Sequence, residues 1–130
     1  MAARYFTFVK SVENPNAQPP QAMYEAMDKH IRDFAKTGRL IDTGGLAPMA
    51  MSKHVRLSGG NISVKDGPFT EAKEVIGGYA VMEFESEEQA LQEAKAFLEL
   101  HRTNWPEWEG EVEIRQIFRP DYLDELLARG

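Results

Sequence analysis

The sequence predicts an α+β fold of the ferredoxin-like kind, an antiparallel sheet with helices on one face. Three observations carry this. Apolar spacing switches between strand and helix periods in the order strand, helix, two or three strands, strand, helix, strand. The pair Gly59-Gly60 separates two short alternating runs, a hairpin signal. A chain of 130 residues, 42% hydrophobic and 28% charged, suits one domain over 1–130 with a core large enough to fold unaided.

Each element has its own reason. Tyr5-Phe6-Thr7-Phe8-Val9-Lys10 is aromatic and β-branched, which favours a strand. Asn14 to Pro20 holds three prolines and reads as a loop. Met23, Met27, Ile31 and Phe34 recur at helical spacing, and Gly38 is a C-terminal stop. Leu40 to Ala47 begins an extended segment interrupted by Gly44-Gly45. His54–Ser58 and Asn61–Val64 are the arms of the hairpin. Gly78 to Glu85 is a further strand, and Ser86-Glu87-Glu88-Gln89 is a capping-box pattern. Ala90, Leu91, Ala94, Phe97 and Leu98 form the expected buried stripe of the helix that follows. Asn104 to Gly110 is a loop, Glu111 to Phe118 alternates as the last core strand, and Pro120 opens a short C-terminal helix, residues 120–129.

The second sheet face predicts a homodimer. Phe6 and Phe8 share one face of the first strand, and Tyr5, Thr7 and Val9 the other. Ala80, Met82 and Phe84 likewise oppose Tyr79, Val81 and Glu83. Both faces carry bulky groups, whereas a solvated face is more uniformly polar. A second subunit over that face accounts for this; scattered surface aromatics are the plainer alternative.

Composition narrows the function classes. The chain has no cysteine, so disulfides, thiolate metal sites and a cysteine nucleophile are excluded, and a reducing cytoplasm fits. Net charge is -6 with a pI near 5.1, which argues against direct nucleic-acid binding. No run approaches the ~20 apolar residues of a membrane span. The opening Met1-Ala2-Ala3-Arg4-Tyr5 does not read as a signal peptide. The three histidines, His30, His54 and His101, lack helical ligand spacing, so no metal is expected. No phosphate loop or nucleophile elbow suggests a cofactor either.

The densest chemistry lies in Lys65-Asp66-Gly67-Pro68-Phe69-Thr70-Glu71-Ala72-Lys73-Glu74, ahead of Gly77-Gly78. Asp66-Gly67-Pro68 is a turn or a site edge. Phe69 is expected to plug into the core. Glu71, Lys73 and Glu74 form either a solvated cluster or, if partly buried, groups that orient a polar ligand or move a proton. His101 either caps its helix or lies beside the Trp105–Trp108 pair as part of a pocket, and His54 is expected in solvent.

Gly44-Gly45-Leu46-Ala47-Pro48, Val55-Arg56, the Asp66–Glu74 run, Gly77-Gly78-Tyr79 and Glu111-Val112-Glu113-Ile114-Arg115 together resemble the YCII-related family, in particular its branch marked by an Asp-Gly-Pro-Phe (DGPF) motif. The resemblance covers about Arg4 to Phe118. It implies a dimeric α+β barrel of ferredoxin-like halves with a pocket between helices and sheet or near the dimer seam. Some members pair a helix histidine with an aspartate for proton transfer. His30 and Asp42 are the nearest matching residues, with a surface or capping role for His30 as the alternative. Read from the residues themselves, the candidate ligand-binding set is Asp66, Gly67, Pro68, Phe69, Glu71, Lys73, Glu74 and His101, with Asp66 a further catalytic candidate.

Two functions follow. One is a cofactor-free enzyme for proton transfer, isomerisation or elimination on a small organic acid, by analogy with fold relatives. The other is a non-catalytic ligand-binding or regulatory module, because some members of the branch accompany sigma factors. A pKa-shifted acid or histidine facing a closed pocket favours the first. An exposed apolar surface away from the dimer seam favours the second.

Overall fold

The computed structural model describes residues 2–14, 17–67, 69 and 74–130. In chain order it contains β1 (Ala3–Ser11), α1 (Gln21–Ala35), β2 (Leu40–Gly45), a 3-10 turn (Met49–Met51), β3 (Lys53–Ser58), β4 (Asn61–Asp66), β5 (Val75–Phe84), α2 (Glu87–Asn104), β6 (Gly110–Gln116) and α3 (Tyr122–Ala128). The fold is α+β. Four strands form a sheet in the order β2-β5-β1-β6, each neighbouring pair antiparallel. Each long helix therefore joins two strands that leave room for a third between them: α1 carries the chain from β1 to β2 across β5, and α2 from β5 to β6 across β1.

The core lies between this sheet and the helices. Tyr5 and Met82, directly opposite in the register, are buried with Phe84 and Ala90, and Phe34, Leu40 and Ile114 pack against them. The Phe84 ring sits 6.2 Å from Tyr5 and 6.0 Å from Phe34, within the range of aromatic contacts. The capping pattern of α2 forms. Ser86 accepts from the Gln89 backbone N–H at 3.3 Å, and the Gln89 side chain accepts from the Glu85 N–H at 2.9 Å, one residue earlier than the usual reciprocal bond.

Three details differ from the sequence reading. The β3–β4 hairpin is a separate two-stranded sheet, so among the described residues the main sheet has four strands. Its turn is as expected, with Gly59 and Gly60 at φ 56° and 81°. Leu91 is 41% exposed, because the inward face of α2 runs Ala90, Ala94, Phe97, His101, and Leu91 falls to its side. The segment after Leu40 is strand only as far as Gly45, and β6 ends at Gln116.

A bulge in β2 has consequences for the site. The register with β5 steps from Leu40↔Met82 to Asp42↔Val81, leaving Ile41 as an extra residue. Strand side chains alternate, so an unbulged strand would turn Asp42 toward the helices with Leu40. The bulge reverses that parity. Thr43, opposite Ala80, faces the helices, and Asp42 faces the other way.

Candidate functional site

A cavity of about 390 Å³ lies between α1, α2 and the sheet. Thr7, Val9, Ala80, Met82 and Val112 supply its floor, because these positions face the helices. Met27, His30, Ile31 and Phe34 of α1 form one wall; Glu93, Ala94, Phe97 and His101 of α2 form the other, with Trp108 beyond. Gly44, Gly45, Gly77 and Gly78 border one end. The lining is mainly apolar with a few convergent polar groups, as small-molecule sites usually are.

His30 lies seven residues after Met23, on the same helix face, which brings it to α2. Its Nε2 is 2.7 Å from Glu93 Oε1. A carboxylate can only accept, so Nε2 carries the hydrogen and neutral His30 holds its lone pair on Nδ1. Among the described residues nothing bonds to Nδ1. The hydrogen bond to Glu93 raises the His30 pKa from its ordinary 6.5; burial opposes it.

His101 has the opposite surroundings. It is 7% exposed, with its ring 4.7 Å from Phe97 and 4.2 Å from Trp108. Its Nδ1 is 3.0 Å from the Phe97 carbonyl, which only accepts, so the lone pair of the neutral ring is on Nε2. Burial lowers its pKa below 6.5, against the pull of that carbonyl. Among the described residues Nε2 has no partner, yet no described side-chain nitrogen or oxygen is both sealed and unbonded. Nε2 is therefore not fully sealed, and His101 is one of the residues that line the cavity.

Two hydroxyls of the lining are used internally. Thr7 Oγ1 donates to the Ala80 carbonyl at 3.1 Å, and Thr43 Oγ1 to the Tyr79 carbonyl at 2.9 Å. Ser11 adds a hydroxyl where β1 ends. Among the described residues, no lysine or arginine lines the cavity.

The sequence candidates divide between this cavity and other places. His30 and His101 line it. Asp42 lies on the opposite sheet face, where its Oδ2 accepts from the Tyr79 hydroxyl at 3.1 Å and raises the tyrosine's pKa. The partner of His30 is Glu93, and the bulge at Ile41 is the reason Asp42 faces away from the helices. Asp66 ends the hairpin, exposed, and accepts from Lys53 Nζ at 2.5 Å. Gly67 packs so tightly that a Cβ there would lie 2.2 Å from the Met49 carbonyl oxygen, while its N–H bonds Ser52 at 2.8 Å. Phe69 is 6% exposed and stacks on His54 with centroids 3.5 Å apart, so His54 is covered on that side. Glu74 is exposed in a bend. Pro68, Glu71 and Lys73 lie outside the described residues.

Glu93 was the residue missed in the sequence. The signal was available: it sits three residues after Ala90 and four before Phe97, a carboxylate inside an otherwise apolar helical stripe. Among the described residues, no three of His, Asp and Glu gather closely enough to hold a metal ion. No described helix is long and apolar enough to cross a membrane. Among curated proteins no relative matches the sequence. The family model of the YCII-related domain matches residues 3–119, nearly the whole chain and both walls of the cavity, and the chain belongs to the YCII-related family.

Proposed function

We propose that this protein is a cofactor-free enzyme that moves a proton on a small, largely apolar organic molecule. The observation that carries this is the 2.7 Å His30–Glu93 pair in the wall of an apolar cavity. Glu93 fixes the tautomer, leaves Nδ1 as the basic atom and stabilises the imidazolium once Nδ1 has taken a proton. The proton comes from a C–H bond beside an electron-withdrawing group. Its return to another carbon gives isomerisation; departure of a leaving group gives elimination. A carboxylate buried beside Glu93 would be repelled and would need protonated His30 as its counter-ion, which removes the base. The organic-acid reading of the sequence therefore fits only a substrate whose acid group stays at the mouth of the cavity.

The test uses β-tetralone, an uncharged two-ring ketone with acidic C–H bonds, in D2O. Proton NMR should show the C–H signal beside the carbonyl lost faster with the protein than in buffer. His30→Gln should slow the catalysed exchange by about 10²–10⁴-fold, the usual share of a general base. Exchange at the buffer rate, or equal exchange by the variant, rejects the proposal.

The assembly belongs to the same reading. On the face away from the helices, Phe6 stacks parallel to Tyr79 at 5.8 Å and touches Phe8 at 5.6 Å. Arg4–Glu83 and Lys10 with Glu111 and Glu113 lie at its edges. An aromatic centre with a charged rim has the composition of a subunit interface. Two ferredoxin-like halves of the DGPF branch meeting there would form an α+β barrel.

The regulatory reading keeps one observation of its own. Val55 and Leu57 of β3 pair with Val64 and Ile62 of β4 on one face of the hairpin, and all four are 65–74% exposed. If this is a docking face for a transcription regulator, Leu57→Lys with Ile62→Lys will abolish that contact and leave proton exchange intact.

A further inference from the structure

We propose that the His101 end of the cavity is a recognition site for an uncharged aromatic hydroxyl, so that the ligand class is a two-ring phenol-like molecule; this rests on the cavity being the ligand site. The first argument is size. An apolar cavity of about 150 Å³ holds one benzene. The cavity here, at about 390 Å³, has room for two fused rings and their substituents.

The second argument is the inventory of polar atoms. In their neutral forms His30 and His101 both present lone pairs, at Nδ1 and Nε2. Thr7 and Thr43 have already donated to backbone carbonyls. Ser11 keeps a hydroxyl that can donate, but the free ring nitrogen of His101 is an acceptor, and a group recognised there must bring a donor. His101 is the stronger recognition element. Its ring is held between Phe97 and Trp108, its tautomer is fixed by the Phe97 carbonyl, and its unpartnered Nε2 is set in a residue that is otherwise buried. Burial keeps it uncharged at neutral pH, so it accepts a hydroxyl hydrogen without attracting an anion.

The third argument is spacing. Glu93, Phe97 and His101 follow one another at intervals of four along α2, which places His101 about 12 Å along the axis from Glu93. A ligand bound at His101 through its hydroxyl lays its rings along Phe97 toward His30. The reacting C–H then belongs at the end remote from the hydroxyl.

Isothermal titration calorimetry at neutral pH with β-naphthol, its methyl ether, naphthalene and β-naphthoate tests this. The naphthol should bind roughly tenfold more tightly than the ether, the worth of one net hydrogen bond, and the naphthoate should bind weakest. His101→Phe keeps a flat ring between Phe97 and Trp108 and removes the acceptor. It should erase the naphthol preference over the ether while naphthalene still binds. A second readout needs no variant: the ¹⁵N shift of His101 Nε2 should move on adding the naphthol and stay put on adding the ether. Equal affinity for naphthol and ether, tightest binding of the naphthoate, an unmoved ¹⁵N shift, or a preference that survives His101→Phe overturns the proposal alone. Failure of every probe to bind at about 1 mM overturns it together with the cavity as a ligand site. A naphthol preference without β-tetralone exchange upholds the recognition site and rejects the proton-transfer chemistry.

Discussion

His30 and His101 start from the same ordinary titration midpoint, 6.5, and the cavity moves them apart. For His30 the folded value is raised, chiefly by the Glu93 hydrogen bond. Its stabilising contribution is complete below pH 6.5 and is lost as pH rises through the folded value. For His101 the folded value is lowered by burial, so its contribution is present above pH 6.5 and is lost as pH falls through the folded value. Glu93→Gln should bring the His30 midpoint down in an NMR titration and reduce stability more at pH 5 than at pH 8. An unmoved midpoint would show that the pair does not form in solution. Buried and exposed aromatics give a second contrast. Phe69→Ala should cost about 3–5 kcal/mol and Phe118→Ala under ~0.5 kcal/mol, since the first ring is 6% and the second 85% exposed. Chemical denaturation ranks them; the reverse order would remove Phe69 from the packed interior. The burial of Phe69 was legible in the sequence, but its stack on His54 was not, because that pairing joins segments no local pattern relates.

At the scale of elements, local chemistry carried furthest where it acted locally. Ser86 and Gln89 cap α2 as their spacing implied, and Gly59-Gly60 turns the hairpin. Ser86→Ala should lower stability by about 0.5–2 kcal/mol, the usual loss for a capping residue, and thermal unfolding measures it. An unchanged melting temperature would mean the helix end is held by Gln89, which also accepts from Arg39 at 3.4 Å. The bulge at Ile41 shows where the reading stopped. Nothing in Leu40-Ile41-Asp42-Thr43 announces an extra residue; it appears only against β5, in the step from Met82 to Val81. That one residue decides which sheet face Asp42 takes. The separate β3–β4 sheet escaped notice for a related reason, since strand propensity does not say which edge a strand will choose.

At the scale of the molecule, the open sheet face should join two copies. Sedimentation over a dilution series is expected to show a dimer at micromolar concentration. Phe6→Asp, placed at the centre of that face, should shift it to monomer while the far-ultraviolet circular dichroism persists. A wild-type chain that stays monomeric and folded throughout rejects the interface. The helix-and-strand order that defines the α+β class was visible throughout the sequence. The pocket between helices and sheet was implied by the family resemblance alone; no residue pattern placed its walls, because a void is a property of packed layers and no residue type encodes it.

The divergence of the two histidines makes the cavity a stepped electrical environment. Counting its walls alone, with Tyr79 uncharged, Glu93 carries one negative charge. In acid, both rings are cationic and the interior is net positive. In the interval between the two midpoints, only His30 is cationic and cancels Glu93. In alkali, neither is and the interior is net negative. A single chamber thus passes from anion-attracting through neutral to cation-attracting as protons leave, with the neutral plateau set around the pH at which an unperturbed imidazole is half titrated. The wider Glu93 and burial hold those midpoints apart, the broader that plateau, and the less the occupant's affinity will follow the acidity of its surroundings.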